Sequence, residues 1–64
     1  MSSNNVEMLI NIVKIFLNNE SSITRDVINS HIEKQCGNPP FNMLTEGDKE
    51  QALKSLLSVY SVWM

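Results

Sequence analysis

The sequence predicts an all-α fold, a compact three-helix domain. Two observations carry that prediction. Apolar residues recur at three- and four-residue spacing in three separate segments, each preceded by a residue able to cap a helix. Between the segments stand a polar stretch, Asn18-Asn19-Glu20-Ser21-Ser22, and a breaker, Gly37 followed by Pro39-Pro40. With 64 residues, 42% apolar and 19% charged, the chain is one small folded domain.

The first helix is expected from about Asn5 to Leu17. Asn4 and Glu7 stand at capping-box distance, and Glu7 suits the positive end of the helix dipole. The second is expected from about Arg25 to Gln35. Thr24 is the favoured N-cap, with Ser22 the alternative, and Ile23 and Ile28 are spaced for a hydrophobic staple. Its apolar stripe is Val27, Ile28, His31, Ile32 and Cys36. Gly37 suits a left-handed position after the helix, and the two prolines forbid continuation. Phe41 to Leu44 reads as an apolar linker that tucks under the helices. Thr45 opens the third helix, with Asp48 at capping-box distance. Because Val59 to Met64 is β-prone, that helix is expected to stop near Tyr60. The expected core is Leu9, Ile10, Val13, Phe16, Leu17, Val27, Ile28, Ile32, Leu53, Leu56, Leu57 and Tyr60.

Composition narrows function. A formal charge of −2 excludes a chain whose charge alone would hold nucleic acid or an anionic membrane. One cysteine excludes an internal disulfide framework, and one cysteine with one histidine cannot build a four-ligand zinc site. His31 and Cys36 are five apart, turned about 140° from each other, so they form no ready nucleophile–base pair. Both read as core residues, His31 partly buried and hydrogen-bonded, Cys36 a small hydrophobe at a helix end. Glu46, Asp48 and Glu50 read as favourable company for a helix N-terminus. Gly37 and Gly47 form no phosphate-binding loop. No catalytic, cofactor or metal site is expected. The apolar run Met8 to Leu17 lacks the basic lead and cleavage site of a signal peptide and is too short to span a bilayer. The reading is cytoplasmic, with no membrane or small-molecule ligand.

The first helix carries more apolar surface than so small a fold uses. Glu7, Asn11, Lys14 and Asn18 make one polar stripe, and the rest is apolar over roughly 220°. An ordinary surface helix shows a stripe a little over about 100° wide. Leaving Met8, Ile12 and Ile15 in water would forfeit about 1.5–3 kcal/mol each. That sum rivals the whole stability of such a domain, about 0.05–0.15 kcal/mol per residue. Either the linker residues Phe41, Met43 and Leu44 fold over this second stripe, or it is a contact surface for another copy or for the rest of a larger protein. The contact surface is the favoured reading. Val62 and Trp63 join it, since tryptophan is enriched at interface hot spots. The candidate interface is therefore Met8, Ile12, Ile15, Val62 and Trp63, on an N-terminal module acting by protein–protein contact.

The rival is DNA binding. A helix, a short polar turn, a second helix and then a third is the skeleton of a helix-turn-helix domain. Against it, the expected reading end of the third helix is Thr45-Glu46-Gly47-Asp48-Lys49-Glu50, which repels phosphate, and the five basic residues are scattered. The stretch Asp48-Lys49-Glu50-Gln51-Ala52-Leu53-Lys54-Ser55-Leu56-Leu57, running into Val59 to Met64, resembles the helical N-terminal segment of bacterial ATPase-type endonucleases of restriction and phage-defence systems. The resemblance implies an accessory or docking domain. That family's ATPase and nuclease residues would lie downstream, so none carries over to a position in this sequence.

Overall fold

The computed structural model describes residues 2–62. It is all-α: α1 (Ser2–Leu17), α2 (Arg25–Cys36), a 3₁₀ turn (Phe41–Met43) and α3 (Glu46–Val59). Helix α1 packs against both other helices, α2 packs against α3, and the 3₁₀ turn lies on α2. The radius of gyration is 10.8 Å, against about 10.7 Å for a close-packed chain of this length.

Two of the three expected caps form. The Val27 amide donates to Thr24 Oγ1 at 3.2 Å, and Thr24 is extended, as an N-cap must be. At α3 the capping box closes both ways: the Asp48 amide donates to Thr45 Oγ1, and the Thr45 amide donates to Asp48 Oδ2, each at 3.1 Å. The expected box at Asn4 and Glu7 does not form, because α1 begins at Ser2 and Asn4 is already helical. Extending an existing helix adds a hydrogen bond per residue with no new nucleation, so even Ser-Ser-Asn continues the coil.

The C-termini correct the sequence reading in a linked way. Gly37 is not left-handed: it caps α2 at φ −78°, ψ −10°. The left-handed residue is Ser61, φ 54°, just past α3. There the Val62 amide donates to the Leu57 carbonyl at 2.9 Å and the Ser61 amide to that of Ser58 at 3.2 Å. These paired bonds define a Schellman motif, with Ser61 at the position glycine usually holds. The motif's apolar contact is supplied by Val62 and Leu57, both packed on the core.

The core is Val6, Leu9, Val13 and Leu17 of α1, Ile28 and Ile32 of α2, Ala52, Leu53 and Leu56 of α3, and Phe41 and Leu44 of the linker. Ile10, Val27, Leu57 and Tyr60 pack at its margin. Phe16, expected inside, is 43% exposed. Its ring lies over His31 instead of between helices, with centroids 5.8 Å apart and planes at 10°.

Candidate functional surface

The four buried residues of α1 fall on one side of the helix. At about 100° per residue, Met8 and Ile15 lie opposite them. They are 47% and 64% exposed. Both belong to a stripe spaced four, three, four and three residues apart: Asn4, Met8, Asn11, Ile15 and Asn18. All five are exposed, and none is charged. Glu7 and Lys14 line one flank of the stripe, while Asn5, Ile12 and Asn19 line the other.

The candidate contact residues therefore separate. Met8 and Ile15 share the outward face. Ile12 sits on its edge, half-buried and packed on the core. Val62 is half-buried and packed on the core beside the α3 cap. Trp63 lies outside the described residues. The linker is no cover for Met8 and Ile15. Phe41 and Leu44 are spent in the core, and Met43 is 85% exposed.

Polar groups elsewhere are engaged structurally. His31 Nε2 donates to Glu20 Oε2 at 2.8 Å, joining α2 to the turn that follows α1. The hydrogen-bonded histidine was expected. Its partner was not, because Glu20 lies in a stretch without periodicity, eleven residues away. Lys49 lies between Glu46 of its own helix, at 3.1 Å, and Glu33 of α2, at 3.6 Å. Its ammonium is held above the ordinary lysine range, chiefly by the hydrogen bond to Glu46. Lys54 pairs with Glu50 at 3.4 Å. These residues line a groove of about 480 Å³ between α2 and α3, together with Arg25, Asn29 and Leu53. Its charges largely satisfy one another and converge on no common point.

Cys36 is half-buried. Burial pushes its thiol above the usual range, and nearby Lys49 offsets this only in part. A thiol held protonated is a weak nucleophile. Among the described residues no three His, Cys, Asp or Glu side chains gather to hold a metal, and no helix is long and apolar enough to cross a membrane. No family model, curated protein or solved structure matches the chain.

Proposed function

We propose that this chain is a non-catalytic docking module that acts through protein–protein contact on the outward face of α1. One observation carries the reading: Met8 and Ile15 stand exposed directly opposite the core, in a stripe free of charge along the whole helix. Single exposed apolar residues are ordinary on a protein surface. Two at helical repeat distance, with Ile12 at their edge, gather apolar side chains on one side of α1, as contact sites do. The resemblance to N-terminal segments of ATPase-type endonucleases agrees with a docking role inside a larger nuclease or ATPase. The acidic opening of α3, with Glu46 and Asp48 in its first turn, disfavours the helix-turn-helix alternative.

Hydroxyl-radical footprinting tests the reading, with Met43 as the internal exposed standard. In cells, at the natural concentration of the protein and its partners, oxidation of Met8 relative to Met43 is expected to fall several-fold below its value in dilute purified chain. An Ile15→Glu variant, which keeps Met8 as the reporter, should keep its fold and lose that protection. An equal Met8 to Met43 ratio in both settings would overturn the docking role.

A further inference from the structure

We infer that the occupant of the α1 face is a second copy of this chain, laid antiparallel across it. This rests on the docking reading above and specifies its partner. The argument comes from the charges beside the stripe. Glu7 and Lys14 stand on the same flank, one residue before Met8 and one residue before Ile15, seven residues apart. Neither is in an ion pair among the described residues. A two-fold axis perpendicular to two antiparallel helices exchanges their ends but places like flank against like flank. Glu7 of one copy then faces Lys14 of the other, and the pairing occurs twice. A parallel pair places this flank against Asn5, Ile12 and Asn19, which offer no charge.

The register follows from the same spacing. With Glu7 level with Lys14 of the second copy, Met8 falls level with position 13, between Asn11 and Ile15, and Ile15 level with position 6, between Asn4 and Met8, in the alternating manner of a short antiparallel coiled coil. Asparagines at seam positions weaken such a pair but tie its register. Each copy contributes one helix face, so the contact belongs to the class burying less than about 1,200 Å² in all. Association is therefore weak, in the micromolar to millimolar range.

Sedimentation equilibrium of the purified 64-residue chain tests this. The wild type is expected to approach twice its 7.3 kDa mass as concentration rises toward millimolar. Glu7→Lys alone and Lys14→Glu alone should each associate roughly tenfold more weakly at low salt, since two attractive pairs become repulsive. Mixed in equal amounts, the two variants should form a heterodimer at least as tight as the wild-type dimer, because every flank contact is again opposite in charge. Circular dichroism of each variant confirms the fold. A monomer up to millimolar concentration, or a mixture no tighter than either variant alone, would overturn the second copy as occupant. If Met8 were nevertheless protected in cells, the docking reading would stand with a different partner.

Discussion

Ser61 and Gly37 hold each other's expected places. A side chain at a left-handed position costs about 1–2 kcal/mol through the clash of Cβ with the following carbonyl oxygen. Ser61, at φ 54°, carries that strain. Gly37 has a right-handed backbone that needs no glycine, and a Cβ there would meet only the Lys34 carbonyl oxygen, at 3.4 Å. Ser61→Gly and Gly37→Ala are therefore each expected to stabilise the chain, by about 0.5–1 kcal/mol, in urea unfolding. The sequence marked the end of α2 by glycine and proline, yet the real left-handed cap was invisible because a serine fills it. Cys36 yields a second expectation. Since burial raises its thiol, the thiolate fraction near neutral pH lies below that of an open cysteine. Alkylation by iodoacetamide at pH 7.5 should be several-fold slower in the folded chain than in urea. The rate should keep climbing with pH beyond the point where the unfolded chain's rate levels off.

At the scale of the helix, a capping motif is effective only where something stops the helix from starting earlier. Asn4-Glu7 and Thr45-Asp48 are alike on paper. Thr45 follows Leu44, which is extended at φ −70°, ψ 141° and anchored in the core. Before Asn4 the backbone is already helical from Ser2. Thr45→Ala should thus cost about 1 kcal/mol in urea unfolding, as a true cap does. Asn4→Ala should change stability by less than about 0.5 kcal/mol, since Asn4 lies within the first turn and not at the cap. The wide apolar girth of α1 was legible in the same partial way. Periodicity located the arc but not the angles from which α2 and α3 approach it. Hence Met8 and Ile15 fell on the open side as read, while Phe16 emerged beside His31 and Ile12 was drawn to the margin of the core.

Across the whole molecule, the two sides of α1 should answer to mutation in different currencies. Leu9 is fully buried, and Leu9→Ala removes contacts to a core with little to spare. A loss of about 2–5 kcal/mol is expected. That is a large share of the total for a domain this small, about 0.05–0.15 kcal/mol per residue. Because the loss lies within one chain, it should be the same at every protein concentration. Ile15 is 64% exposed in the single chain, so Ile15→Ala removes almost nothing from the core. Alanine is also the better helix former, and a dilute sample should melt at the wild-type temperature or slightly above it. Concentration reveals what Ile15 does. A second copy that binds only the folded form adds stability by mass action, rising with the logarithm of concentration above the dissociation constant. Thermal melts at about 10 μM and about 1 mM should therefore separate for the wild type. For Ile15→Ala they should coincide, and for Leu9→Ala both should fall together. A wild-type midpoint that does not move over that hundredfold range would leave the outward face of α1 without a second copy to cover it.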